Sequence, residues 1–347
     1  MSAVCGMVSF AGAPVAAAVL DRMLGMDCMG RAAVRTETAE GAAFATLAPA
    51  GPAARRGPGA VLLAADARLD NREELLHALG LTAAATSDER LMAAAYERWG
   101  EQWHRHLRGA YAAAVYDRAS RKLLLLRDRS GERGLYWCDT GEGFLFASEP
   151  AQLVASGRIG GEPHRARLLA YLLGAPAEPT WSYFARVHRV PEGCQVRVTA
   201  ERIELDRYWD WTTVDAASWN GADAAPELAH RLGEAVERRL ARQGETGVLL
   251  SGGLDSTSIA AQAAGALERR GRQLYAFTWT SPSGDGIDET PLSRTLIRSR
   301  GNVVEHSVEA DALWPLSRYP EAYADPSDPE TNAFPDLLLT TLEAARQ

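Results

Sequence analysis

The chain has 347 residues, of which 46% are apolar and 24% charged, with a formal net charge of −8. That length suits two domains at roughly 100–200 residues each, and the mild acidity excludes nucleic-acid binding by bulk electrostatics. Four widely spaced cysteines (Cys5, Cys28, Cys138 and Cys194) exclude a disulfide framework and point to a reducing cytoplasm, no apolar run is long enough for a membrane span, and no basic leader precedes Arg22.

In chain order, Val4–Phe10 reads as a short strand carrying Cys5 and Gly6. Ala60–Ala65 is an apolar run followed by Asp66-Ala67-Arg68-Leu69-Asp70. Asp70 and Glu73 have capping-box spacing and predict a helix ending at Leu79. Ser87 and Asp88 predict the start of a second helix, with Leu91, Ala94, Ala95 and Arg98 at helical spacing and Gly100 as its stop. Ala110–Asp117 and Lys122–Asp128 read as a hairpin joined by residues 118–121. Leu135–Cys138 and Phe144–Ser148 read as another across Gly141-Glu142-Gly143. A helix at His164–Leu173 comes next, then a turn at Arg189–Gly193 and strands at Cys194–Val198 and Arg202–Tyr208. Residues 211–225 are polar and irregular. They read as a linker between a domain at 1–210 and one at 226–347.

The second domain reads differently. Pro226–Arg242 predicts an amphipathic helix with Leu228, Leu232, Ala235, Val236 and Leu240 on one face. An apolar strand ending at Leu249-Leu250 runs into Ser251-Gly252-Gly253-Leu254-Asp255-Ser256, and a helix is expected to open at Ser256 or Thr257. Leu274–Thr280 and Asn302–Val308 read as strands around a helix at Glu289–Arg300. Tyr319–Pro335 reads as a Pro-rich loop and Asp336–Arg346 as a last helix. Strands alternating with helices imply a parallel, doubly wound sheet. Ligands of such sheets sit at the carboxyl ends of the strands, which places Thr278 near one. Asp288 and Glu289 read equally as a polar contact or as a helix start.

Ser251–Ser256 carries the chemistry. Two glycines let the backbone turn tightly and approach a ligand. Amides at a helix N-terminus favour an anion. Ser251 and Ser256 add hydroxyls, and Asp255 adds a carboxylate suited to Mg²⁺ bridging phosphates. No lysine comes after the glycines, so this is not the loop that handles a γ-phosphate. The single lysine of the chain is Lys122, in the first hairpin. The seven histidines show no ligand spacing; His104 and His106 are two apart and do not share a helix face.

The loop resembles the pyrophosphate loop of N-type ATP pyrophosphatases. The resemblance implies ATP contacts at Leu249, Ser251, Gly252, Gly253, Leu254, Asp255, Ser256 and Thr278, with Mg²⁺ on Asp255. It also implies cleavage of ATP between the α and β phosphates, adenylation of a carboxylate and displacement of AMP by an amine. Gly109–Asp117, Leu126–Gly131, Gly134–Trp137, Phe146–Glu149, Val190–Gly193 and Tyr208-Trp209 resemble the N-terminal domain of asparagine synthetases. The fold then implied is an N-terminal-nucleophile αββα sandwich followed by a partial, doubly wound ATP pyrophosphatase domain.

In that family the glutaminase nucleophile is an N-terminal cysteine whose own amine is the base. Cys5 is the weak candidate here, because residues 1–4 tie its amine into a peptide bond. Asp66-Ala67-Arg68 stands where the family has Asn-Gly-Glu, and a carboxylate cannot donate to an oxyanion. Asp88 matches the family's glutamine contact, though a helix start explains it equally well. The first domain is therefore expected to be inactive. The expected function is an ATP-dependent amide-forming synthetase, in the preferred version a lasso-peptide-type macrolactam cyclase, with the β-lactam synthetases as another glutaminase-silent relative. An asparagine synthetase is the alternative, and a truncated nucleotide-binding protein the second one. The family's later Gly-Gly-Asp loop and phosphate lysine have no counterpart before Gln347. The chain thus reads as the front of a longer protein or one half of a split one. Expected partners are a small-molecule or peptide carboxylate, a precursor peptide or a C-terminal partner chain.

Overall fold

Side-chain alternation organises the first half of the chain. The computed structural model describes residues 3–26, 33–48, 61–82, 86–213, 224–240, 244–283, 290–313 and 335–346. The chain divides into two compact units, Met1–Val214 with Pro326–Pro329, and Asp215–Asp325 with Glu330–Gln347. The first runs β1 (Ala3–Val8), α1 (Ala17–Leu24), β2 (Ala33–Ala39), β3 (Ala42–Ala48), β4 (Val61–Leu69), α2 (Arg72–Leu79), α3 (Asp88–Trp99), β5 (Gly109–Asp117) and β6 (Lys122–Arg127). It continues with β7 (Tyr136–Asp139), β8 (Phe144–Ala147), α4 (Pro150–Ala155), α5 (Arg165–Leu172), β9 (His188–Arg189), β10 (Cys194–Val198) and β11 (Ile203–Arg207).

These strands form two antiparallel sheets, of order β2-β3-β1-β8-β7-β9 and β11-β10-β6-β5-β4. Successive side chains leave a strand on opposite faces. Val4 and Val8 of β1 and Ala112, Ala114 and Tyr116 of β5 meet in the core between the sheets. Ala3, Cys5 and Met7 face α1 and α4 instead, with Val19, Leu20, Met23 and Leu153. Tyr111, Ala113 and Val115 pack against Leu75, Leu91 and Met92 of α2 and α3. The layers are helix, sheet, sheet, helix. Both faces of β5 and β6 are buried, which is why they read as unbroken apolar runs. Gly6 allows a close approach: a Cβ there would lie 2.4 Å from the Phe146 ring.

Several boundaries differ from the sequence reading. β1 stops at Val8 rather than Phe10. β4 continues through Asp66-Ala67-Arg68 to Leu69, because Asp66 pairs with Ala112 and Arg68 with Ala110. Asp70 comes directly after the strand and does not cap α2; the N-cap is Asn71. Asn71 braces the chain instead, Nδ2 donating to the His106 carbonyl at 2.9 Å and Oδ1 accepting from the Arg108 N–H at 3.0 Å. Beyond α3 the chain continues as a 3-10 turn over Gly100–Arg105, past the expected stop. That turn buries Trp103, whose indole N–H donates to Gln195 at 3.1 Å. The reading omits α1, β2, β3, α4 and β9.

The second unit runs α6 (Ala224–Arg239), β12 (Thr246–Leu249), α7 (Leu254–Glu268), β13 (Leu274–Thr280), α8 (Thr290–Ser299), β14 (Val303–Glu309) and α9 (Pro335–Ala344). The strands form a parallel sheet of order β12-β13-β14. Leu274 and Ala276 of β13 pack with Ala260, Ala264 and Leu267 of α7 and Leu296 of α8. On the opposite face the Trp279 indole N–H donates to Thr341 Oγ1 of α9 at 3.0 Å. Helices therefore meet both faces. α6 starts at Ala224, inside the expected linker, and its apolar face is covered only in part. Val236 and Leu240 pack in the core, whereas Leu228 is exposed. α9 starts at Pro335, where the loop was expected to end. Cys28, Asp288, Glu289 and most of the Pro-rich stretch lie outside the described residues.

Candidate functional site

The site grows from the end of β12. Leu249 pairs with Phe277, and the Leu250 N–H still donates to the Phe277 carbonyl at 2.9 Å. The chain turns only after that bond. Gly252 takes φ +83°, a left-handed conformation that favours glycine. α7 then opens at Leu254, with Gly253 as N-cap, which is earlier than the expected Ser256 or Thr257. The Thr257 N–H already donates to the Gly253 carbonyl at 3.0 Å. Asp255 and Ser256 consequently lie in the first helical turn. The amides of Leu254, Asp255 and Ser256 precede the first intrahelical bond and face the mouth of the helix.

Hydroxyls rim that mouth. Ser251 Oγ and Ser256 Oγ are 3.0 Å apart. Ser256 Oγ accepts from the Ser251 N–H at 3.3 Å, and Ser251 Oγ accepts from the Gly253 N–H at 3.4 Å. The Asp255 carboxylate is exposed and makes no hydrogen bond or ion pair among the described residues. Leu254, at 88% exposure, and Leu249 form an apolar rim.

Thr278 shares with Leu274 and Ala276 the face of β13 that packs on α7, at the carboxyl end of the strand. Its side chain is buried, at 1% exposure, and Oγ1 has no hydrogen-bond partner. Thr257 Oγ1, in the first part of α7, is likewise buried without a partner. An unsatisfied buried hydroxyl costs about 1–3 kcal/mol, so both are placed to gain from a polar ligand. Sequence reasoning omits Thr257 as a site residue; its adjacency to Ser256 is the only signal it carries. Free amides, two hydroxyls and one uncommitted carboxylate fit a Mg²⁺-bound polyphosphate, since Mg²⁺ is commonly held by one or two carboxylates plus phosphate oxygens. No cluster of three His, Cys, Asp or Glu suited to a metal occurs among the described residues, and such a site does not need one.

In the first unit the candidates are not assembled into an open site. Cys5 lies in mid-strand, paired with Ala45 on one side and Ala147 on the other. The Val4 N–H donates to Ser148 Oγ at 2.9 Å, and the Val4 carbonyl accepts from the Ser148 N–H at 2.8 Å. The residue before Cys5 is thus woven into the sheet. Cys5 is fully buried among apolar side chains, and burial pushes its thiol up to about 12. Asp66 forms an ion pair with Arg133 at 3.4 Å. Asp88 Oδ2 accepts from the Leu69 N–H at 2.9 Å, and Oδ1 pairs with Arg72. Ser87 caps the same helix by accepting from the Arg90 N–H at 3.2 Å. Lys122 pairs with Glu101, within a network that includes Arg197 and Glu204.

The Leu126–Gly131 segment is framework. Asp128 accepts from the amides of Tyr111, Ser130, Glu132 and Arg133 at 3.0–3.2 Å. Arg127 donates to the carbonyls of Gly131, Arg133 and Val190. His104 is buried against the Tyr208 ring, and His106 stacks on Trp99.

A strand, a Ser-Gly-Gly turn and a helix N-terminus in a parallel sheet give the second unit an α/β site suited to an anion, joined in one chain to a helix–sheet–sheet–helix sandwich. Residues 65–209 match the family described as "Glutamine amidotransferase domain", and residues 227–341 match "Asparagine synthase". The chain belongs to the asparagine synthetase superfamily. It is 30% identical to asparagine synthetase (glutamine-hydrolyzing) 3 of Bacillus subtilis over 59% of this chain and 34% of that protein. It is 30% identical to amidase chyE of Penicillium rubens over 68% of this chain and 37% of that protein. A putative asparagine synthetase (glutamine-hydrolyzing) of Mycobacterium bovis is 30% identical over 65% of this chain and 35% of its own length. The chain therefore spans about a third of the length of these relatives.

Proposed function

We propose that this chain carries the nucleotide site of an ATP-dependent, amide-forming ligase. The observation that carries the reading is the open Ser251–Ser256 loop, with free helix amides, paired hydroxyls and an uncommitted Asp255 carboxylate. A carboxylate oxygen of the substrate would attack the α-phosphorus of ATP, forming an acyl-adenylate as the bond to the β-phosphate breaks and pyrophosphate leaves. An amine would then attack the acyl carbon, forming the C–N bond, with loss of a proton and departure of AMP. The α7 amides, Ser251 and Ser256 would hold the departing pyrophosphate. Asp255 would hold Mg²⁺, which neutralises charge on the phosphates when bound. Leu249 and Leu254 would pack on the nucleoside, and Thr278 would give its hydroxyl to it. Lys122 is committed to Glu101 and takes no part.

The amine, in this reading, comes from the substrate and not from glutamine. The buried thiol of Cys5 and the Arg72-bound Asp88 support that. A lasso-peptide-type macrolactam cyclase, which joins an amine and a carboxylate of one precursor peptide, is the version we favour. The second reading is an asparagine synthetase. The names of the Bacillus and Mycobacterium relatives favour it. We place the protein in the cytoplasm; no described helix is long and apolar enough to cross a membrane. The test incubates the protein, alone and with a candidate C-terminal partner chain, with labelled ATP and either a precursor peptide or aspartate with ammonia or glutamine. AMP and pyrophosphate are the expected products. ADP formation would overturn the ligase reading. ATP binding without turnover under every condition would favour a nucleotide-binding protein.

A further inference from the structure

A polar cleft opens at the end of the sandwich where β1 and β5 finish, and no step of the ligase reaction uses it. Its volume is about 240 Å³, and Gly12, Glu40, Tyr116, Arg118 and Arg121 line it. Three turns build it. The Ser9 N–H donates to the Gly41 carbonyl at 2.6 Å and the Gly12 N–H to the Ser9 carbonyl at 3.1 Å, which holds the turn after β1 against the β2–β3 turn. Asp117 Oδ1 accepts from the Ala119 and Ser120 N–H groups at 2.9 and 3.2 Å and shapes the β5–β6 turn. Arg121 ties that turn to the first, its Nη2 donating to the Phe10 carbonyl. Of the described non-glycine residues Arg121 alone has a left-handed φ, +49°, a conformation uncommon outside glycine.

The polar groups of the cleft lack partners. Glu40 and Arg118 make no hydrogen bond or ion pair among the described residues, and Arg121 makes none besides that to Phe10. Tyr116 is buried, at 3% exposure, edge-on to Phe10 at 6.5 Å, and its hydroxyl has no hydrogen-bond partner among the described residues. A Cβ on Gly12 would lie 3.9 Å from Glu40 Oε1 and 3.9 Å from Arg121 Nη2. Carboxylate and guanidinium therefore stand at most twice that distance apart, without pairing. Two charge-assisted bonds of about 2.8 Å each take up most of that gap. A ligand that bridges it carries its ammonium and its carboxylate on one carbon. Arg118 then remains for a second carboxylate.

We propose that this cleft binds a free acidic α-amino acid. Glu40 takes the ammonium group, Arg121 the α-carboxylate and Arg118 the side-chain carboxylate, while the Tyr116 hydroxyl donates to a carboxylate oxygen. Two guanidinium groups and one carboxylate match a ligand with two carboxylates and one ammonium. A simple anion would leave Glu40 facing a like charge, and a peptide lacks one of the two α-groups. The volume, below the roughly 300–1,000 Å³ of pockets for larger ligands, suits a molecule of this size. The cleft is distinct from the place of the family's glutamine contact. Asp88 bonds to Leu69, which pairs with Gly109 at the other end of β5. Gly109 and Tyr116 lie roughly 23 Å apart along the strand, at about 3.3 Å per residue.

The experiment is isothermal titration calorimetry of the full chain at pH 7.5 with L-glutamate, glutarate and inorganic phosphate, for the native sequence, Arg118→Gln and Glu40→Gln. L-glutamate is expected to saturate one site. Glutarate, which lacks the ammonium group, should bind about ten-fold more weakly, as should L-glutamate to Arg118→Gln, each having lost one charge-assisted bond. Glu40→Gln should weaken L-glutamate by a similar factor and leave glutarate no weaker. Both residues are exposed, so urea midpoints should stay native. Absence of saturable binding by the native chain, glutarate or phosphate binding as tightly as L-glutamate, or an L-glutamate affinity that neither variant changes would each overturn the proposal. So would a loss of binding that appears only together with a lowered urea midpoint, since the side chains would then be structural.

Discussion

Cys5 and the Ser251–Ser256 loop occupy related places in their units, each beside a glycine on an early strand, and they end in opposite states. Cys5 has strands on both sides, helices over its side chain and a thiol raised to about 12. The loop has an exposed carboxylate, free amides and hydroxyls whose partners all lie within the loop itself. The difference lies in where each strand ends. β1 carries Cys5 in its middle, so the ladder takes up its backbone and the core takes up its side chain. β12 ends at Leu249, so the residues of interest fall between the last ladder bond and the first helical bond, where polar groups are left for a ligand.

The comparison breaks most visibly at Asp255. In a preparation that forms adenylate, Asp255→Asn is expected to lower pyrophosphate release about 100-fold, in line with loss of one preorganised electrostatic group. Its effect on folding should stay within about 0.5 kcal/mol, since the side chain is exposed. Equal losses of activity and of urea stability would mean that Asp255 serves the helix and not a ligand.

Gly6→Ala tests the closed side. A Cβ at 2.4 Å from Phe146 forces the sheet or the ring to move, and a cost of about 1–3 kcal/mol is expected in urea unfolding. The same closure predicts that Cys5, Cys138 and Cys194 resist alkylation until the protein unfolds. Release of glutamate from glutamine should not depend on Cys5, so an activity abolished by Cys5→Ala would reverse the assignment of a silent first domain.

Thr278→Val separates folding from binding. Removing an unpartnered buried hydroxyl while keeping its shape should leave the free protein as stable or more so by about 1 kcal/mol. ATP affinity, measured by calorimetry, should fall about five-fold if the hydroxyl donates to the nucleotide. A stability loss with unchanged affinity would show that Oγ1 matters only to the core.

The smallest effect concerns pH. His104 is held below the usual histidine range, by burial first and by the charge of Arg105 in addition, while its bond to the Glu101 carbonyl works the other way. A base whose pKa falls on folding gives a stability that is complete above its unfolded value, about 6.5. That stability is lost as the pH falls through the lower, folded value. Unfolding midpoints should drop between pH 7.5 and 5, and less so in His104→Gln.

Local chemistry was legible in the sequence by itself. Unbroken apolar runs marked β5 and β6, Ser87 marked the start of α3, and Ser251-Gly252-Gly253 with Asp255 marked a strand-to-helix turn suited to an anion. These signals need only a few adjacent residues, because side-chain period and turn geometry are properties of the chain next to itself. Tertiary structure decided the rest. It placed Asn71 instead of Asp70 at the start of α2, because β5 pairs with β4 as far as Leu69. It began α7 at Leu254 and so brought Asp255 into the first turn. It left Thr278 and Thr257 with buried, unpartnered hydroxyls and engaged Asp88 with Arg72. Burial and pairing join residues distant in the chain, and no local pattern records which partner arrives.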